Sequence, residues 1–282
     1  SKNSSANIRK YPIKPEEEIL EEAERAARAG ATRYCMVLSG RGPSIRTVRK
    51  LASTIKKVKK ALPIEVCLSA GLLGDEQAAI LAEAGLDRLN HNLNTSESHY
   101  PSICSTHTFQ DRVNTLLAAR RHGVEPCSGL IVGMGETSDD LIDVALKLRE
   151  LEVPSIPVNF LIPIEGNPVQ GSGELNPESC LRALVMLRLI NPRAEIRISA
   201  GREGHLRGLG ALALWPANSL FIEGYLTTKG DAAAETYEMI RDAGFEIEGN
   251  ALFKDDKTNE KRTGFRVSGS DGEILKPEIR AS

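Results

Sequence analysis

No run of apolar residues in this chain approaches the roughly 18 that a bilayer-spanning helix needs, so no helical membrane anchor is expected within it. Charge of one sign is missing too. The 36 Lys and Arg face 38 Asp and Glu, a net charge of −2 that gives nucleic acid or an anionic membrane surface no hold. Cysteine is sparse: five residues, an odd number and widely spaced, which argues against a disulfide framework and for a reducing cytoplasm. No CxxC or CxxxCxxC run occurs, and no signal-peptide pattern opens the sequence at Ser1. What remains is ordinary globular composition: 282 residues, 41% of them hydrophobic, are ample for a large core.

The chain is organised around Glu125-Pro-Cys-Ser-Gly-Leu-Ile-Val-Gly-Met-Gly-Glu136. A short apolar run ending in glycines reads as a buried strand, a tight turn at Gly133 and Gly135, and a helix capped by Thr137 or Ser138. Around it a unit repeats. Strands are predicted at 32–39, 64–69, 89–94, 156–163, 195–199 and 219–224, with helices between them. Ser44 and Asn176-Pro177 are helix starts, and Gly30, Gly85, Gly123 and Gly244 follow helix ends. Seven strands alternating with helices point to an α/β fold with a parallel sheet, a TIM-type (β/α)8 barrel one strand short, with a doubly wound open sheet as the alternative. Residues 1–245 form the expected barrel domain. Residues 246–282 read as a loosely packed tail with a turn signal at Ser270-Asp-Gly-Glu273.

Three cysteines fall on strands. Cys35 and Cys67 sit in similar contexts on consecutive strands, and Cys127 lies on the organising one. Any one of them packs acceptably as a small hydrophobe. Together, facing a barrel axis, they could surround a metal cluster. Arg197 alternates with Ile196 and Ile198, so if the isoleucines meet the outer helices its guanidinium points inward and needs an anion. Three thiolates would supply one; a buried ion pair with a carboxylate such as Glu136 is the alternative. Asn90, Asn92 and Asn94 are expected to share one strand face, and Asn159 sits mid-strand between Val158 and Phe160. Asparagine is disfavoured in strands, so this set suggests a polar ligand with amide groups. His91 faces the other way and reads as structural. Cys104 and Cys180 read as structural also.

These segments together resemble the biotin synthase family of radical S-adenosylmethionine enzymes. The resemblance runs from Tyr11-Pro12 to about Phe245. It is carried by Arg33-Tyr-Cys-Met36, Glu65-Val-Cys-Leu68, Asn90-His-Asn-Leu-Asn-Thr-Ser96, Ser105-Thr-His-Thr108, Cys127 to Glu136, Val158-Asn-Phe160 and Arg197-Ile-Ser-Ala-Gly-Arg-Glu203. It implies that Cys35, Cys67, Cys127 and Arg197 ligate an auxiliary 2Fe–2S cluster. It also implies that Asn90 and Asn159 contact the ureido ring of dethiobiotin. Asn92 and Asn94 then lie near the S-adenosylmethionine ribose, and Gly129, Ile131, Gly133 and Glu136 form the GxIxGxxE pattern that supports adenosine.

The implied reaction is sulfur insertion. A reduced 4Fe–4S cluster cleaves S-adenosylmethionine, the resulting radical takes hydrogen from dethiobiotin, and sulfide of the 2Fe–2S cluster closes the thiophane ring. The family implies an electron donor such as flavodoxin or ferredoxin, a homodimer and a cytoplasmic setting. The family's CxxxCxxC loop, which binds the 4Fe–4S cluster, is not in this sequence. The expectation is that this loop and the first barrel strand lie upstream of Ser1. The alternatives are another radical S-adenosylmethionine barrel such as a methylornithine synthase or hydrogenase maturase, a non-catalytic iron–sulfur scaffold, and a plain aldolase-type barrel.

Overall fold

Side-chain caps set where the helices begin. Ser44 accepts a hydrogen bond from the Thr47 amide at 3.2 Å, Thr137 from the Asp140 amide at 3.2 Å, and Asn176 from the Ser179 amide at 2.9 Å. Each satisfies a donor that the first helical turn leaves open. Helices end where glycine permits the left-handed turn. Gly30, Gly85, Gly123 and Gly244 have φ between 78° and 84°. The computed structural model describes residues 12–163, 175–222, 224–225, 228–229, 233–248 and 279–281.

In chain order the elements are α1 (Glu16–Arg28), β1 (Arg33–Val37), α2 (Ile45–Ala61), β2 (Glu65–Ser69), α3 (Asp75–Glu83), β3 (Arg88–Asn90), α4 (Tyr100–Ile103), α5 (Phe109–Arg121), β4 (Glu125–Cys127), β5 (Leu130–Val132) and α6 (Ser138–Glu150). Then come β6 (Ser155–Phe160), α7 (Pro177–Ile190), β7 (Glu195–Ile198), α8 (Arg202–Leu206), a 3-10 turn (Arg207–Leu214), β8 (Ser219–Leu220), β9 (Gly224–Tyr225), β10 (Thr228–Lys229), α9 (Ala233–Asp242), β11 (Ile247–Glu248) and β12 (Ile279–Ala281). The main sheet runs β1-β2-β3-β4-β6-β7-β8-β12-β11, with β5 also paired to β6, and its strand pairs are parallel. Strands β9 and β10 form a separate antiparallel pair.

The sheet is rolled. Strands β1 and β7 are five places apart, about 24 Å in a flat sheet at the usual strand spacing. Yet Arg33 on β1 reaches Glu195 on β7 with two hydrogen bonds of 3.1 Å. Only a curved sheet brings those inner faces together, which gives the parallel half-barrel of a TIM-type (β/α) fold. The outer face carries the apolar layer. Ile196 and Ile198 are buried there with Leu184 and Leu187 of α7, so Arg197 between them faces inward as expected.

Three local expectations are corrected. The organising strand is two short strands, β4 and β5, because the loop after β3 inserts into its ladder at Ser128–Gly129. Asn94 donates its amide to Gly129 O at 3.0 Å, Leu93 to Ser128 Oγ at 3.1 Å, and Gly129 to Asn92 Oδ1 at 3.1 Å. Strand β3 accordingly stops at Asn90, and Asn94 is left-handed at φ 74°. The three asparagines therefore do not share a strand face. Finally, β11 and β12 extend the sheet past β8, so the end of the chain returns to the sheet. The turn signal at 270–273 lies outside the described residues.

Candidate functional site

Parallel register sets the three strand cysteines side by side on the concave face. Cys35 pairs in register with Cys67 on β2, and Cys127 with Asn90 on β3, between β2 and β4. Cys67 and Cys127 are buried and Cys35 is half-buried; all three are free thiols. Cys67 sits in the middle and interacts with both others. Its contact with Cys127 pulls the thiol down, but Cys35 and burial outweigh this and hold it well above the ordinary thiol range. Cys67 and burial push Cys127 up in the same way, against the pull of Asn90 and Arg33. Cys67 and Cys127 are therefore protonated at neutral pH without a metal.

Beneath them lies a layer of charge that alternation along the strands dictates. Each candidate ligand follows a charged residue by two positions: Arg33 before Cys35, Glu65 before Cys67, Glu125 before Cys127, Glu195 before Arg197. Residues two apart share a strand face. Arg33 donates through Nε to Glu65 at 2.8 Å and through both terminal nitrogens to Glu195 at 3.1 Å. Arg88 donates to Glu65 at 3.2 Å and forms an ion pair with Glu125 at 2.9 Å. Burial pulls Arg33 down, but Glu195 and Glu65 outweigh it, so it stays charged beside Cys67 and Cys127. The spacing that exposes this layer is visible in the sequence once the reading applied to Arg197 is applied to every strand.

Arg197 is 1% exposed. It donates through Nε to Ser219 at 3.0 Å and through Nη2 to Glu195, and its guanidinium lies 5.5 Å from the Phe221 ring. The expected rival partner, Glu136, is elsewhere. Its carboxylate accepts the Gly133 and Met134 amides at 2.6 Å each and closes the glycine turn on itself. The structure thus brings Cys35, Cys67 and Cys127 together and ties Arg197 to them through Glu195 and Arg33.

The polar groups above the thiols divide. Asn90 donates to the Cys127 sulfur at 3.3 Å and reaches Asn92 Oδ1 at 3.5 Å. Asn159, opposite Ile131 in register, donates to Leu130 O at 3.3 Å and accepts from the Ala200 amide at 3.3 Å. Each amide keeps hydrogen-bonding capacity for a further partner. Asn92 is held by Gly129 and by Arg112, which donates to its carbonyl at 2.6 Å. Gly129 serves packing: a Cβ there would sit 1.8 Å from Pro157 O. At Gly133, φ is 102° and a Cβ would meet Leu175 at 2.8 Å, so its turn is packed against protein. His91 is buried away from this face, and burial with Arg112 and His107 nearby pushes its imidazole down to about 3.

The donor set fits a 2Fe–2S core. Thiols are the ligands such clusters use, and these lie together in a shielded layer beside a fixed cation. Among the described residues, no three His, Cys, Asp or Glu side chains close around a single ion. A two-iron core divides its ligands between two irons and does not require that. A 4Fe–4S cluster finds no CxxxCxxC loop in the sequence. Among the described residues no helix is long and apolar enough to cross a membrane.

Known proteins resemble this chain over most of its length. Residues 2–148 match the Radical SAM superfamily and residues 157–246 the Biotin and Thiamin Synthesis associated domain. The biotin synthase of Acaryochloris marina is 59% identical over 256 residues, covering 91% of this chain and 74% of the relative. That of Leptospira interrogans is 56% identical over 244 residues, covering 86% and 70%. Among solved structures, a methylornithine synthase matches with a TM-score of 0.69 at 21% identity, over 85% of this chain and 74% of that one. An FeFe-hydrogenase maturase from Carboxydothermus hydrogenoformans matches with a TM-score of 0.72 at 17% identity, over 85% and 60%. At those identities the structural matches speak for the fold alone. The sequence matches decide the family: the chain belongs to the biotin synthases, within the radical S-adenosylmethionine enzymes that work with S-adenosylmethionine and a 4Fe–4S cluster.

Proposed function

We propose that this chain is the sulfurtransferase that converts dethiobiotin to biotin, exchanging two C–H bonds of the substrate for two C–S bonds. The observation that carries the reading is the single inward layer of Cys35, Cys67 and Cys127, linked through Arg33 and Glu195 to Arg197. In this reading those four side chains hold the 2Fe–2S cluster, residues 1–245 are the catalytic barrel domain, and residues 246–282 are its tail. When bound, the cluster supplies sulfide and S-adenosylmethionine supplies radical chemistry. No residue of this sequence is assigned to the 4Fe–4S cluster.

The chain's own work is holding and shielding. Asn90 bonds the thiol layer and keeps amide capacity, so it would hold the substrate's ureido ring together with Asn159, two strands further along the sheet on β6. Asn92, Asn94, Gly129, Ile131, Gly133 and Glu136 shape the wall for the adenosine. The rolled sheet keeps water from reactive carbon. An external reductant such as flavodoxin or ferredoxin, a homodimer and a cytoplasmic setting complete the reading by family likeness.

Calorimetric titration of dethiobiotin into the anaerobically assembled protein with S-adenosylmethionine tests the substrate assignment. Losing one buried amide partner costs about 1–3 kcal/mol, so Asn159→Ala and Asn90→Ala weaken binding about 5- to 150-fold. Equal affinity in both variants, or no binding to the unsubstituted protein, contradicts it.

A further inference from the structure

Glu195 is a buried carboxylate between two buried arginines. Its side chain is 6% exposed and those of Arg33 and Arg197 are each 1% exposed. Oε1 accepts from Arg33 Nη1 at 3.1 Å and from Arg197 Nη2, and Oε2 accepts from Arg33 Nη2 at 3.1 Å. Arg33 is itself tethered at its third nitrogen by Glu65 at 2.8 Å. Glu195 is therefore held in a fixed fork, and what it holds in turn is fixed.

Arg197 is restrained from three sides: Nη2 by Glu195, Nε by Ser219 at 3.0 Å, and the guanidinium plane by the Phe221 ring. Its remaining nitrogen, Nη1, has no hydrogen-bond partner among the described residues. Nη1 is not one of the wholly buried unpartnered polar atoms, so it is the nitrogen of this guanidinium with open space in front of it. An iron ligand must present one nitrogen free of protein acceptors, in a plane that does not swing. Carboxylates do this for metal-bound imidazoles by engaging the ring nitrogen that the metal does not use.

We propose that Glu195 is the positioning residue for Arg197, clamping Nη2 so that Nη1 is the nitrogen presented to the 2Fe–2S cluster. The proposal deepens the reading of Arg197 as a ligand and rests on it. In this role Glu195 acts on the cluster through Arg197, while its two bonds to Arg33 hold the carboxylate itself in place.

The test uses the anaerobically assembled protein, labelled with arginine carrying 15N at both Nη positions and reduced by one electron. Pulsed EPR of the reduced cluster reads the coupling to a bonded nitrogen. The unsubstituted protein is expected to show it, and Glu195→Gln to lose it or reduce it at least twofold at equal iron and sulfide content. Glu195→Asp keeps the charge but is one methylene shorter. It is expected to reduce the coupling as well, and it carries the test alone where Glu195→Gln does not fold. Couplings equal to the unsubstituted protein in every variant that folds overturn the positioning role. No 15N coupling in the unsubstituted protein overturns the ligand role of Arg197 itself, and the proposal with it. A second readout is the half-life of the cluster's visible absorption under a chelator. Glu195→Gln is expected to shorten it at least threefold in the native background and to leave it unchanged in Arg197→Ala. The same threefold loss in both backgrounds overturns action through Arg197.

Discussion

The two ends of the rolled sheet use polar residues in opposite ways. At the amino-terminal end Arg33, Glu65, Arg88, Glu125 and Glu195 pair with one another, so nearly all of the layer's charge is met within it; Arg88 Nη1 faces Glu125 as an ion pair without a well-formed hydrogen bond. One step along the strands the accounts are left open. Three thiols have mostly one another, Arg197 keeps a nitrogen unused, and the buried hydroxyl of Ser199, two residues beyond Arg197, has no partner among the described residues. Buried polar groups are normally satisfied, so a satisfied layer reads as scaffold and an unsatisfied one as a place for ligands. The same residue chemistry, displaced by two positions along each strand, separates the part that makes the fold from the part that makes the site.

Four changes break or sharpen that contrast, in descending order of effect. Arg33→Met attacks the satisfied layer by leaving Glu195 and Glu65 without their shared cation. Removing one partner of a buried ion pair costs about 3–5 kcal/mol, which denaturant unfolding of the apoprotein reads; a cost below about 1 kcal/mol would show that the layer is not scaffold. Gly129→Ala forces a Cβ against Pro157 O and costs about 1–3 kcal/mol by overpacking, seen as a lower Tm; an unchanged Tm contradicts the close β5–β6 approach. His91 adds a pH dependence. Its folded pKa is about 3 against an ordinary value of 6.5, so the unfolded chain binds the extra proton between those values. Its contribution is therefore fully present above 6.5 and is lost as pH falls toward 3, with a slope of up to about 1.4 kcal/mol per pH unit. His91→Gln flattens that slope in stability curves taken from pH 7 to 5, and an equal slope in both proteins contradicts the burial of a neutral imidazole. Ser199→Ala has the smallest effect. Removing an unpartnered buried hydroxyl leaves apo stability unchanged or slightly raised, and a loss above about 1 kcal/mol would place Ser199 in the scaffold instead.

Much of this was legible in the sequence, for reasons that differ by region. Helix limits were readable because caps and left-handed glycines act locally, at Ser44, Thr137, Asn176 and Gly30. The inward aim of Arg197 was readable because alternation along a strand needs only its two neighbours. The break in the central strand was not, because it depends on Asn92 and Asn94, which come from a loop more than thirty residues upstream by the spacing of their Gly129 contacts. The alternative of a buried carboxylate partner for Arg197 holds, but Glu136, the carboxylate offered for it, is not the one, for a related reason. Glu136 was a plausible acceptor by sequence, but its own turn amides are nearer than any distant guanidinium. Glu195 won because it lies on the same face of the same strand. The return of β12 to the sheet beyond β8 is a long-range pairing of two residues on each strand that no local pattern announces.

In the proposed function the open layer holds a two-iron cluster. Anaerobic iron and sulfide analysis of the reconstituted protein and of Cys127→Ala, with visible absorption spectra, tests it most directly. About two irons and two sulfides per chain are expected, with loss of both and of the absorption in Cys127→Ala. Iron in neither protein, or equal loading of the two, contradicts it.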